Sequence, residues 1–240
     1  MKNLQPSKPN FKISSGVSLV IPVYNNAATL KEHLQKSIEA LEKICKTYEI
    51  IISNDKSTDN TESVLKQYSN NKNIIICNQK KNLGIAKNIL FLYKKAKYEY
   101  IVLFSLDGDW EPNDITRLIL HAVEQKADIV IGKRNVNDFP FARKIVSVIY
   151  NLLPLILFGV KTHDTGSIKI IKKEIIDTTE LKSQSVSFES ELLIKAVKKG
   201  YKLSTIPISY KKQKINKRST VNSKLISESF IDLLRLRIQE

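Results

Sequence analysis

A chain of 240 residues with 42% hydrophobic content can bury a full core, as one large domain or two small ones. Its formal charge of +15 points to an anionic partner: nucleic acid, lipid headgroups or a phosphorylated substrate. Two cysteines, Cys45 and Cys77, and three scattered histidines, His33, His121 and His163, lack ligand spacing, which argues against a disulfide framework or zinc and fits a reducing cytosol.

Met1 to Gly16 is polar, lacks the apolar stretch of a signal peptide, and reads as a tail. Val17 to Val23 is a β-rich run that ends in a turn at Tyr24-Asn25-Asn26. Leu30, Leu34, Ile38, Leu41 and Ile44 then share one face of a helix expected over Ala27 to Tyr48. Glu49 to Ile52 is a second strand, and Asn54 to Thr61 is a cluster of turn and cap formers before a helix through Tyr68. A third strand, Asn73 to Cys77, leads through Lys81-Asn82-Leu83-Gly84 into a helix over Ile85 to Ala96. The fourth strand, Tyr100 to Phe104, runs into Ser105-Leu106-Asp107-Gly108-Asp109-Trp110-Glu111-Pro112.

Strands alternating with helices call for a mostly parallel sheet covered on both faces, with ligands at the carboxyl ends of the strands. The loops holding Tyr24, Asp55 and the pair Asp107 and Asp109 are therefore expected at one sheet edge. Gly108 lets the backbone turn tightly, so the two carboxylates can converge on one hard divalent cation. The other reading of Asp-Gly-Asp is a turn whose second Asp caps the helix opened by Pro112.

Downstream, the pattern gives a helix over Asp114 to Gln125 and a strand over Asp128 to Ile131, ending in Gly132-Lys133-Arg134. Ile145 to Val160 is the one long apolar segment. Asn151 and Pro154 interrupt it, and it is too short to be read as a membrane span. Flanked by Arg143, Lys144 and Lys161, it reads either as a pair of short helices on a membrane surface or as a buried core hairpin. A strand over Ile168 to Ile171, a helix over Val186 to Lys199, a strand over Lys202 to Tyr210, a basic loop over Lys211 to Arg218 and an amphipathic helix over Thr220 to Arg237 complete the chain. The expected organisation is a tail over 1–16, one α/β domain over 17–210, and a basic appendage with a helix over 211–240.

Together, Val-x-Leu-Val-Ile-Pro-Val-Tyr-Asn-Asn (Val17 to Asn26), Ile-Ile-Ser-Asn-Asp-Lys-Ser-Thr-Asp-Asn-Thr (Ile51 to Thr61), Asn82-x-Gly84 and Asp107-Gly108-Asp109 resemble the family 2 glycosyltransferases. Within that family, the segment from Asp107 to Pro112 resembles dolichyl-phosphate mannose synthase-like and other polyprenyl-phosphate sugar transferases. The resemblance implies a single GT-A domain, Rossmann-like, that uses Mg²⁺ or Mn²⁺. It implies nucleotide-sugar contacts (GDP- or UDP-linked) at Pro22, Tyr24, Asn26, Ser53, Asp55, Lys87, Asp107, Gly108 and Asp109, and metal contacts at Asp107, Asp109 and Glu111. The chain departs from the family's common Asp-Asp-Gly-Ser with Asn54-Asp55-Lys56-Ser57, and from Tyr-Asn-Glu with Asn26.

The reaction implied is inverting transfer of a sugar to a polyprenyl phosphate at the cytoplasmic face of a membrane. Arg134, Arg143, Lys144, Lys214 and Arg218 are then candidates for the acceptor or diphosphate. The alternative acceptor, a hydroxyl of a glycan or lipid-linked sugar, needs a general base, for which Asp164 and Glu191 are the candidates. Two non-enzymatic readings remain: a GT-A module that binds a nucleotide without turnover, and a nucleic-acid binder. No aromatic platform or recognition motif interleaves the basic residues to favour the last.

Overall fold

In the computed structural model of the chain, the described residues are 12–107, 110–135, 139, 141–183, 185–209 and 223–239. The first half alternates strand and helix as the pattern requires: β1 (Val17–Val23), α1 (Ala27–Ile44), β2 (Tyr48–Asn54), α2 (Thr61–Lys66), β3 (Ile74–Asn78), α3 (Ile85–Lys95) and β4 (Tyr100–Leu103). The second half is α4 (Asn113–Glu124), β5 (Ile129–Lys133), α5 (Phe141–Phe158), β6 (Lys169–Lys172), α6 (Lys173–Thr178), α7 (Phe188–Lys198), β7 (Leu203–Pro207) and α8 (Ser223–Gln239). The first helix stops earlier than its periodicity suggests. Cys45 takes an extended backbone and Tyr48 already belongs to β2.

The seven strands lie in the order β3-β2-β1-β4-β6-β5-β7. β6 runs antiparallel to both β4 and β5, while the other pairs are parallel. Side chains alternate across the sheet, so a run such as Ile50-Ile51-Ile52 feeds both faces. Ile50 and Ile52 join Leu19, Leu30, Leu34 and Leu118 on the α1 and α4 face. Ile51 joins Val20, Leu92, Tyr93, Phe188 and Leu192 on the α3 and α7 face. Each such fully buried Ile or Leu contributes about 1.5–3 kcal/mol. These two apolar layers hold the loops at the strand ends in place.

The apolar segment at 145–160 corrects both expectations for it. It is neither a pair of helices nor a core hairpin, but part of the single helix α5. Asn151 belongs in that helix because its amide donates to the Ser147 carbonyl at 2.9 Å and its Oδ1 accepts from the Thr165 N–H at 3.3 Å. Pro154 lies inside that helix, where it has no N–H to offer the carbonyl of Tyr150. One edge of α5 leaves Ile145, Ile149, Leu152 and Ile156 exposed, and another edge packs on α8. The short helix α6 was not anticipated. Its six residues carry too little periodicity to read.

Candidate functional site

The ladder between β1 and β4 closes at Val20 and Leu103, with one further bond from the Phe104 N–H to the Val20 carbonyl. Beyond that point the strands part. Pro22, which has no N–H to offer a neighbour, sits where β4 no longer pairs and lines the cleft that opens there. The antiparallel β6 brings its start, Lys169, opposite Leu103, so the 164–168 loop reaches the same edge. A cleft of about 440 Å³ results, whose wall includes Pro22, Asp107, Trp110, Arg134, Tyr150 and Glu189. This is the switch point of the sheet, where such folds bind ligands.

On the β1 to β3 side, hydrogen bonds to backbone groups, hydroxyls, amides and the carboxylates of Asp55 and Asp59, without ion pairs among the described residues of these loops, tie the loops together. Both oxygens of Asp55 accept backbone N–H groups, from Leu83 at 2.6 Å and from Gly84 at 3.0 Å, and the Asn82 amide donates to the Asp55 carbonyl at 3.0 Å. Gly84 takes φ +78°, open to glycine without strain, and this turns the two N–H groups inward. Lys56 has φ +62°, in the left-handed region. Asn25, also left-handed at φ +53°, is braced by Thr58, whose N–H donates to the Asn25 Oδ1 at 2.8 Å. The Asn26 carbonyl accepts from the Leu30 N–H and opens α1, while the Asn26 N–H donates to Thr61 Oγ1 at 2.9 Å. Tyr24 stands exposed beside this turn.

Ser53 is fully buried beneath these loops, its Oγ accepting from the Gln79 amide at 2.9 Å. Lys87 lies on the exposed face of α3. The loop after β4 is held by Thr29, whose hydroxyl donates to the Leu106 carbonyl at 2.6 Å. Asp107 follows and faces the cleft. Gly108 and Asp109 lie outside the described residues, as do Lys214 and Arg218 and the side chain of Arg143. Glu111 does not line the cleft. It lies within electrostatic reach of Lys36 and Asp114, on the α1 and α4 side. Lys144 sits half-buried in the first turn of α5.

The β5 and β6 side is built from charge. Arg134 donates from Nε to Asp164 Oδ2 at 2.8 Å and from Nη2 to Oδ1 at 2.6 Å, a bidentate pair nearly sealed from solvent. The guanidinium lies 5.2 Å from the Trp110 ring and 5.1 Å from the Phe139 ring. Asp164 is thus engaged with a cation at the cleft. Glu191 is held elsewhere: it accepts the Lys182 and Ser183 N–H groups at 2.9 and 2.8 Å and pairs with Lys195 at 2.6 Å.

Two cleft residues escaped sequence reading. Glu189 lines the wall and pairs at 2.5 Å with Lys169, itself fully buried. Burial pushes its carboxyl above the ordinary range, Lys169 and Arg134 oppose this, and Asp164 adds to it. Glu189 and Glu191 lie two positions apart on α7, so they face opposite ways, and spacing alone does not say which faces the cleft. The Ser167 hydroxyl is buried in the same wall with no hydrogen-bond partner among the described residues. An incoming oxygen would satisfy it.

Asp107 supplies a hard oxygen donor that fits a Mg²⁺ or Mn²⁺ ion sharing its remaining ligands with phosphate and water. No group of three or more His, Cys, Asp or Glu is preassembled for a metal among the described residues.

The glycosyl transferase family 2 model matches residues 18–179. A dolichol-phosphate mannosyltransferase of Pyrococcus furiosus is 26% identical over 227 residues, 91% of this chain and 62% of that protein. A polyprenol monophosphomannose synthase of Mycolicibacterium smegmatis is 25% identical over 211 residues, 82% of this chain and 78% of that protein. The chain therefore spans less than two thirds of the length of the first of these relatives.

Among solved structures, mannosyl-3-phosphoglycerate synthase from Rubrobacter xylanophilus superposes with a TM-score of 0.74 at 14% identity, covering 94% of this chain and 76% of that one. A mannosyltransferase from Pyrobaculum calidifontis in complex with GDP-Man and Mn²⁺ superposes at 0.64 and 16% identity, covering 93% and 65%. These likenesses establish the GT-A fold. With the family model covering most of the sheet and the whole β1 to β4 edge of the cleft, the chain belongs to the family 2 glycosyltransferases.

Proposed function

We propose that the chain is a metal-dependent, inverting glycosyltransferase that moves a sugar from a nucleotide-diphosphate donor to a polyprenyl phosphate at the cytoplasmic membrane surface. The observation that carries this reading is an apolar trough of about 210 Å³ that shares Arg134, Asn151 and Asp164 with the cleft. Val148, Leu152 and Leu155 line it together with Lys133 and Lys161. An isoprenoid needs the apolar wall and its phosphate needs the cations, and the trough offers both where it joins the cleft that Asp107 lines. The names of the two relatives, one a dolichol-phosphate and one a polyprenol-phosphate enzyme, support the same acceptor class.

In this reading an acceptor phosphate oxygen attacks the anomeric carbon from the face opposite the leaving group. The bond to the nucleoside diphosphate breaks, its electron pair leaves with the diphosphate, and the configuration inverts. The attacking phosphate is already an anion, so no proton has to be removed. The bidentate Asp164 carboxylate fixes the plane of the Arg134 guanidinium, the group that this reading sets against phosphate. Ser167 has a hydroxyl to donate to the same ligands. Asp107, with Asp109, would hold the divalent ion, which when bound neutralises the departing diphosphate as a Lewis acid.

Exposed apolar residues at Ile145, Ile149, Leu152 and Ile156 form a stripe along α5, flanked by Lys144 and Lys161, which suits shallow insertion between headgroups. No described helix is long and apolar enough to cross a membrane. A second reading, a hydroxyl acceptor, draws support from Glu189, a cleft carboxylate with a raised pKa. A donor screen separates the two: UDP or GDP release from a panel of nucleotide sugars should rise on adding a polyprenyl phosphate. Release that rises only with a free-hydroxyl glycan, and stops in Glu189→Gln, would replace the first reading with the second.

A further inference from the structure

α8 is fastened to the domain by an uncommon contact. Asp232, in the middle of that helix, directs one oxygen, Oδ2, at three serine hydroxyls: Ser183 at 3.0 Å, Ser185 at 2.6 Å and Ser187 at 3.1 Å. The serines alternate along the segment entering α7, and each braces the next. The Ser185 N–H donates to Ser183 Oγ and the Ser187 N–H to Ser185 Oγ, both at 3.2 Å. Ser185 makes the shortest of the contacts to the carboxylate, and Ser187 Oγ lies 2.7 Å from Ser183 Oγ and 2.8 Å from Ser185 Oγ, so the three hydroxyls and Asp232 form one shared network. A mid-helix Asp is a poor helix former, so its placement reflects this anchorage and not local preference.

One turn before Asp232, α8 meets Tyr150. The Phe230 ring lies edge-on to the Tyr150 ring at 6.1 Å, and Ser229 hydrogen-bonds to its phenol. From α7 the Ser190 hydroxyl donates to the Tyr150 oxygen at 3.1 Å. Burial pushes the phenol up to about 12, so it stays protonated. Tyr150, on α5, is thus clasped by α7 and α8, and it lines the cleft next to Asn151, which borders both the cleft and the apolar trough.

We propose that Asp232, caged by Ser183, Ser185 and Ser187, is a positioning residue: it seats α8 so that Ser229 and Phe230 fix Tyr150 in the acceptor-side wall of the cleft. This rests on the reading of the trough as the acceptor site. Tyr150 shares the cleft with Pro22 and Asp107, but the loops that hold Tyr24 and Asp55 belong to none of the elements of this clasp, so the proposal places its effect on the acceptor.

Trp110 is the only tryptophan of the chain and lines the same cleft, so its fluorescence reads binding without turnover. Farnesyl phosphate, GDP and UDP are titrated into wild type, Asp232→Ala and Asp232→Asn, the last of which retains an oxygen for the serine hydroxyls. Loss of coupling between contacting groups predicts that Asp232→Ala weakens farnesyl phosphate about five- to tenfold while the nucleotide that binds stays within about twofold. Asp232→Asn should restore most of the affinity. Amide hydrogen exchange across residues 147–153 should quicken in Asp232→Ala.

Equal losses for both ligands, no loss for either, or unchanged exchange across 147–153 would overturn the proposal. Absence of farnesyl phosphate binding in the wild type overturns the acceptor reading instead, and hydrogen exchange then still decides whether Asp232 seats Tyr150.

Discussion

The two sides of the cleft are built from different materials. Where β1, β2 and β3 end, the loops are bound by amides, hydroxyls and backbone groups around Asn25, Asp55 and Thr61, and their only buried charge is dispersed over two N–H groups. Where β5 ends and β6 begins, Arg134 with Asp164 and Lys169 with Glu189 face one another as buried ion pairs, with exposed apolar helix surface alongside. Carboxylates that accept backbone N–H groups fix the shape of a loop, which suits a nucleotide read by its outline. Buried ion pairs fix direction for a charged ligand and are expensive to break.

The largest expected effect lies on the charged side. Asp164→Ala leaves Arg134 buried without its bidentate partner and should lower unfolding free energy by about 3–5 kcal/mol in urea titrations. A loss under about 1 kcal/mol would mean the pair behaves like a solvated one and would erase the contrast. Next, Asp107→Ala should reduce turnover about 100-fold with little change in stability, since it removes a charge-stabilising group and no core contact. On the side of β1 to β3, Asp55→Ala takes the carboxylate from the Leu83 amide and leaves the Gly84 amide with only the Asn82 side-chain oxygen. It should cost about 1–3 kcal/mol and weaken nucleotide binding while sparing lipid phosphate.

The smallest effect separates the sides by sign. At Asp59, burial acts to raise the carboxyl, but the Thr61 hydroxyl, the Thr61 N–H and the Ala27 N–H outweigh it and the net value falls below 3.8. Its support is present above that pH and is lost as pH falls through the folded value. Glu189 is raised above 4.5, chiefly by burial, so its support is fully present below 4.5 and is lost as pH rises through the folded value. Asp59→Asn should flatten the acid limb of stability and Glu189→Gln the limb above it. Urea midpoints from about pH 3 to pH 7 read the slopes.

The sheet was legible because its strands are apolar runs with one dominant burial role, and the loops at Tyr24, Asp55 and Asp107 follow from strand polarity alone. What stayed hidden depends on direction or distance. Arg134 and Asp164 are thirty residues apart and meet only through the antiparallel β6, which no periodicity announces. Glu189 looked no different from Glu191 until α7 was oriented. Pro154 looked like a helix break, yet α5 continues through it to Phe158. The grip of the three serines on Asp232 spans the segment between β7 and α8 and has no local signature.

The most direct test is to offer the protein the same lipid with and without its phosphate. In the presence of Mn²⁺ and the donor that the screen selects, the polyprenyl phosphate should be glycosylated with inverted anomeric configuration and the matching polyprenol should not, with EDTA stopping the reaction. Equal use of the polyprenol, or transfer that persists in EDTA, would contradict the account.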